Sequence, residues 1–178
     1  MKVNLFENSS LCALTEEYAF EISQWEYAPP YDVYNFKGHP NGYLFDRSVW
    51  GTEQFCLVKD NAVIGQVACQ RDGDNLWVGW SLNPKLCGGG NGSLFVKKCV
   101  SELCKIKNHN GSIVLRVAVS NQRAVKAYQK AGFEYAETIL DEIAYTNRME
   151  DFWVMKSGNS MTSKIAEDGK YHVCKRHE

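Results

Sequence analysis

The sequence predicts an α/β domain whose central sheet is mixed and mostly antiparallel, with six to seven strands and about four flanking helices. Three observations carry that prediction. Residues 55–59, 63–70 and 76–82 are β-rich runs separated only by the turns Asp60-Asn61 and Asp72-Gly-Asp-Asn, so three antiparallel strands follow one another. From about 92 to 107, Val96, Cys99, Val100, Leu103 and Ile106 recur on one helical face, with Lys97, Lys98, Glu102 and Lys105 elsewhere, which lays a helix on that sheet. Ile113-Val-Leu-Arg-Val-Ala-Val then reads as a central strand, β-branched and apolar apart from one arginine.

From the N-terminus, residues 3–6 suit a short first strand. Leu11, Leu14, Tyr18, Ile22 and Trp25 recur at spacings of three and four, predicting a helix over 11–24 capped by Ser9 or Ser10. The next segment, Trp25-Glu-Tyr-Ala-Pro-Pro-Tyr-Asp-Val-Tyr-Asn-Phe, has too many prolines and rings to continue the helix and too much apolar area for a solvated spacer. It either walls a groove or covers a sheet edge. Residues 44–50 suit a short helix. After 107, Asn108-His-Asn-Gly stops the helix on the sheet, Ser120 or Asn121 caps another over 122–131, and Gly132 ends it. The last strands are 133–140 and 151–156, joined by the polar stretch 141–150. The domain thus spans 1–156, and 157–178 is a polar, loosely attached tail.

With 178 residues, 44% hydrophobic and 12% aromatic, the chain can bury a core of its own, which excludes a disordered protein. A net charge of −1 gives no overall attraction for nucleic acid or an anionic membrane, so neither is an expected partner; a homodimer is left open. The first residues lack the apolar run of a signal peptide and no window approaches 18 apolar residues, so a cytoplasmic protein is expected. The seven scattered cysteines, an odd number, read as mostly buried free thiols. His172-x-Cys174-x-x-His177 offers three ligand types in a polar tail without a fourth, and no metal is expected.

The stretch richest in chemistry runs from Trp80 to Leu94: Trp-Ser-Leu-Asn-Pro-Lys-Leu-Cys-Gly-Gly-Gly-Asn-Gly-Ser-Leu. A strand end, a glycine-dense turn and a first helical turn together present bare backbone N–H groups to an anion. Gly88, Gly89, Gly90 and Gly92 accept positive φ and close approach, while the N–H groups from about Gly88 to Ser93 converge at the positive end of the helix. A phosphate-bearing ligand is expected. By itself the loop suits a nucleotide as well as a coenzyme.

Two segments together resemble the GNAT superfamily of N-acetyltransferases. Leu82-x-Pro84-x-x-Cys87-Gly88-Gly89-Gly90-Asn91-Gly92 is similar to its acetyl-CoA pyrophosphate loop, with Cys87 where the family usually has Arg or Gln. Asn121-x-Arg123-Ala124-x-x-Ala127-Tyr128-x-x-Ala131-Gly132-Phe133 is similar to its second conserved block. The resemblance covers 54–156 well, the first 50 residues in outline and the tail not at all. It implies acetyl-CoA as the cofactor, held by Ser81, Leu82, Cys87, Gly88, Gly89, Gly90, Asn91, Gly92, Ser93, Asn121 and Tyr128. Strands 76–82 and 113–119 would splay so that the backbone of Ser81 and Leu82 pairs with the pantetheine arm.

The implied reaction is transfer of an acetyl group to a primary amine of a small molecule, a peptide N-terminus or a lysine, by direct attack. The Leu82 N–H would hold the oxyanion, and the Tyr128 hydroxyl would protonate or hydrogen-bond the departing thiolate. The general base is not identified; Glu53, Asp72, Asp74, Glu134 and Asp151 lie near strand ends. By the same resemblance Trp25, Tyr27, Tyr31 and Tyr34, with Phe36, line the acceptor groove. The competing reading is a non-catalytic acyl-CoA-binding or sensor module, with the phosphate loop kept and the amine site absent.

Overall fold

In the computed structural model, which describes residues 4–36 and 42–157, the chain departs from expectation first at its N-terminus. Residues 5–8 turn instead of extending. Asn4 Oδ1 accepts from the Phe6 N–H at 3.1 Å, Asn8 is left-handed at φ 63°, and the Ser9 hydroxyl donates to the Phe6 carbonyl at 2.6 Å. The strand comes later, at Ser10–Ala13 (β1). The helix is shorter, Glu16–Ser23 (α1), because its cap is Thr15, which accepts from the Tyr18 N–H, and not Ser9 or Ser10. Val3 lies outside the described residues.

The helix expected at 44–50 is instead two 3-10 turns, Tyr43–Phe45 and Arg47–Val49. Asp46 sits extended between them, and its carboxylate accepts from the Ser48 N–H at 3.0 Å and hydroxyl at 2.6 Å, which restarts the turn. Among the described residues three α-helices flank the sheet, against the about four expected. The next elements follow expectation closely: Gln54–Lys59 (β2), Ala62–Asp72 (β3), Asn75–Leu82 (β4), Asn91–Lys107 (α2), Ser112–Ala118 (β5) and Gln122–Ala131 (α3); the last two strands, Phe133–Ile143 (β6) and Arg148–Ser157 (β7), are longer than expected.

The last hairpin takes in much of the stretch expected to be a polar connection, turning only where Tyr145 and Asn147 adopt φ of 63° and 56°. Ser157, counted into the tail, ends β7, and its hydroxyl accepts from the Ile113 N–H at 3.0 Å. The rest of the tail, with His172, Cys174 and His177, lies outside the described residues. Among the described residues no helix is long and apolar enough to cross a membrane.

The seven strands form one sheet in the order β1-β2-β3-β4-β5-β7-β6, antiparallel except between β4 and β5. That parallel pairing covers only Asn75–Trp77 against Ser112–Val114, although the strands run on to Leu82 and Ala118. Neighbouring β2 residues divide the core between the two faces. Leu57 joins Phe95, Val96, Cys99, Val100 and Leu103 of α2 and Val125 of α3; Cys56 joins Ala19 and Ile22 of α1, with Trp25 and Leu44. Ile106, placed on the buried stripe of α2, is 46% exposed, while Phe95 at the other end is buried. Phe95 lies where Gly65 of β3 has no side chain: a Cβ there would stand 2.2 Å from the ring.

Candidate active site

The hydrogen-bond ladder decides which backbone groups face the gap between β4 and β5. Asn83 donates to the Ile64 carbonyl at 3.0 Å, and the register pairs Ser81 with Gln66 and Gly79 with Ala68. Antiparallel residues alternate, so Gly79 and Ser81 turn their N–H and C=O to β3, whereas Trp80 and Leu82 turn theirs toward β5. Both lie past the last paired residue, Trp77, where β5 has diverged. On the other wall Val119 donates to the Asp151 carbonyl at 2.9 Å, and the same alternation turns the backbone of Arg116 into the gap, while the Ala118 carbonyl accepts from the Asn121 N–H at 2.9 Å. The two walls enclose a cleft of about 440 Å³. Of the two residues expected to pair with a ligand through the main chain, only Leu82 has backbone groups facing it. Ser81 lines the cleft, but its main chain belongs to β3.

Tyr27 reaches this wall from the segment after α1. Its hydroxyl donates to the Leu82 carbonyl at 2.7 Å, and its N–H donates to Asn35 Oδ1 at 2.8 Å, which ties the segment's two ends together. Burial pushes the Tyr27 phenol well above the usual tyrosine range, and the neighbouring Cys87 adds to the shift. Arg123 of α3 stands 3.9 Å from the centre of the Tyr31 ring and 5.9 Å from that of Tyr27, pinning both rings against the helix.

Tyr128 and Trp80 meet on the helical side of the cleft. Their ring centres are 6.1 Å apart, with Phe133 completing a cluster at 6.1 Å from Tyr128 and 6.3 Å from Trp80. The Trp80 indole N–H donates to the Tyr128 oxygen at 3.1 Å. An indole nitrogen can only donate, so the phenol oxygen is the acceptor and its own proton remains to be given elsewhere. Burial pushes the phenol up to about 12, with the Trp80 bond opposing the shift, so the group is protonated at neutral pH.

The glycine turn forms the cleft's end. Gly88, Gly89 and Gly90 have φ of 94°, 60° and 84°, and a Cβ on any of them would meet nothing within 4 Å. Conformation, not crowding, requires glycine here. Gly92 differs: a Cβ there would lie 3.1 Å from that of Ala127, so it is small to let α2 rest on α3. Thr15 caps α1 and Asn121 caps α3 by accepting from the Ala124 N–H at 3.2 Å, but Gly90 gives α2 no side-chain cap, and its first turn carries no acidic residue. The N–H groups of Gly92 and Ser93 stand in that first turn, where a helix supplies no acceptor.

Leu82, Ser81, Cys87, Gly88, Gly90, Gly92, Ser93, Asn121, Tyr128, Tyr27 and Tyr34 all line the cleft; Gly89, Asn91, Trp25 and Tyr31 do not. Asn91 shapes the turn, its N–H donating to the Gly88 carbonyl and its side chain to that of Leu86, both at 3.0 Å. Trp25 is buried with Ile22 and Leu44 under the opposite face. Burial, and after it the Glu150 carboxylate, push the Tyr34 phenol up, and the side chains of Asn121 and Ser120 beside its hydroxyl oppose the rise. None of Glu53, Asp72, Asp74, Glu134 and Asp151 lines the cleft, and no aspartate, glutamate or histidine does among the described residues. Trp80, Arg116, Lys126, Lys130 and Phe152 line it and were not anticipated. Alternation from Leu82 points to Trp80, and the helical spacing from Arg123 points to both lysines.

Residues 14–133 match the profile of the acetyltransferase (GNAT) family. Among solved structures, spermidine N-acetyltransferase from Vibrio cholerae in complex with CoA and spermine is similar at a TM-score of 0.65 and 19% identity, over 88% of this chain and 99% of that one. AAC(6′)-Ib in complex with ribostamycin and coenzyme A is similar at 0.65 and 19%, over 90% and 99%. An acetyltransferase (GNAT family) from Bacillus anthracis follows at 0.51 and 18%, over 62% and 68%. At these identities the likeness is one of fold. No curated protein matches the chain.

Proposed function

Because the chain belongs to the GNAT acetyltransferase family, we propose that it moves an acetyl group from acetyl-CoA to a primary amine of a small molecule or peptide by direct attack. The observation that carries this reading is the opening beyond Trp77, where the outward backbone of Leu82 and the donor-ready hydroxyl of Tyr128 line one cleft. Backbone groups of Trp80 and Leu82 would pair with the pantetheine amides. The uncapped start of α2 would take the diphosphate, with Cys87 contributing only main chain at its position in the loop. Leu82 N–H would hold the developing oxyanion, and Tyr128 O–H the departing sulfur.

The acceptor is an amine with cationic character. The solved relatives carry spermine and ribostamycin, both amines. In this chain the faces of Tyr27 and Tyr31 are already covered by Arg123 and that of Phe152 by Arg116, so of the aromatic segment's rings on the cleft wall Tyr34 is the one left to receive an acceptor body. With no carboxylate or imidazole on the cleft wall among the described residues, the attacking amine would lose its proton to water at the mouth.

That same lack of a base favours the second reading, a non-catalytic acyl-CoA-binding module. Acetyl-CoA is incubated with the protein and a panel containing spermidine, spermine, ribostamycin, lysine-bearing peptides and peptides with free N-termini, and thiol release is followed. Release with at least one amine is the expected result. Coenzyme binding without release on any of them favours the module, and no binding removes both readings.

A further inference from the structure

Helix α3 turns a row of cations to the cleft. Arg123, Lys126 and Lys130, at i, i+3 and i+7 on one face, all line it. Arg123 is engaged with the rings of Tyr31 and Tyr27. Lys126 and Lys130 are exposed and pair with no carboxylate among the described residues, in contrast to Lys98 with Glu102 and Arg116 with Asp141. Gly92 fixes where they stand. Its contact with Ala127 rests the first turn of α2 on the middle of α3, so Lys126 and Lys130 line the same cleft as Gly88, Gly90 and Gly92.

On the proposed reading the loop would hold a diphosphate through main-chain N–H groups, and two further ammonium groups exceed that requirement. A phosphate monoester carries about −1.5 to −2 charges at neutral pH and suits two point-charge donors. We infer that Lys126 and Lys130 form a second phosphate subsite, which reads the ribose 3′-phosphate of coenzyme A and so discriminates it from the dephosphorylated coenzyme. This rests on the reading of the cleft as a coenzyme A site.

Titration calorimetry with coenzyme A and with dephospho-coenzyme A tests it on the wild type, on Lys126→Ala/Lys130→Ala and on Lys126→Arg/Lys130→Arg. The wild type is expected to prefer coenzyme A by about fivefold at low salt, the scale of two exposed ion contacts, with the preference shrinking as salt rises. The double alanine variant should bind both ligands with the wild-type affinity for dephospho-coenzyme A, and the double arginine variant should keep the preference. Equal wild-type binding of the two ligands overturns the inference, as does a preference that survives the alanines or an equal loss for both ligands. Failure of the wild type to bind either ligand removes the coenzyme reading itself, and the subsite with it.

Discussion

Tyr128 carries the sharpest expectation at the scale of a single side chain. Tyr128→Phe keeps the ring against Trp80 and Phe133 and removes only the O–H. Turnover should fall about 100-fold, the lower end of the range for a positioned acid, with coenzyme affinity unchanged. Full turnover in that variant, with chemistry shown to limit the rate, takes Tyr128 out of the mechanism. Its pKa gives a second test. A phenol at about 12 in the fold, against 10 in the unfolded chain, favours folding while protonated. That contribution is complete below pH 10 and is lost as pH climbs through 12. Urea midpoints measured over that window should fall more steeply for the wild type than for Tyr128→Phe, and parallel curves would contradict the assignment.

At the scale of elements, two glycines make opposite predictions. Gly90→Val puts a β-branched residue at φ 84°, at a cost of about 1–3 kcal/mol, with its side chain in the open space before the loop. Coenzyme affinity should drop while the fold survives; unchanged affinity would remove the phosphate-loop assignment. Gly65→Ala meets the Phe95 ring from inside the core and should cost about 1–3 kcal/mol of stability. A melting temperature equal to the wild type's would show that the ring can move aside. The two loci also mark what was legible in the sequence. The hairpins of β2 to β4 and the helix α3 were readable because their ends are written in local chemistry, Asp60-Asn61, Asn121 and Gly132. The first strand was not, because Leu11 and Leu14 fit a helical stripe as well as a strand and its exit; only Thr15 separates the two. The split of residues 43–49 into two turns is also local, written in Asp46 and the Ser48 it caps. The sequence of β4 does not report that Ser81 turns its main chain to β3, since ladder parity is set by its register with Gln66.

Across the whole molecule, the sheet is two blocks, β1 to β4 and β5 to β7, joined edgewise by one short parallel pairing and bridged by α2 and α3. The opening past Trp77 is therefore a strand edge kept inside the molecule. An edge on the outside invites another chain to pair with it, but this one is walled by β5 and the two helices, so only a slender extended ligand can add itself as the missing strand. Amide exchange should read the opening directly. In the free protein the Trp80 and Leu82 amides should exchange fast and the Gly79 and Ser81 amides slowly, an alternation of protection along β4. Coenzyme A should slow the first pair and leave the second unchanged. Uniform protection along β4 in the free protein would mean that the gap closes on itself. On the proposed reading, a bound coenzyme would extend the ladder that β4 leaves unpaired with β5 past Trp77, and binding would be completion of the sheet.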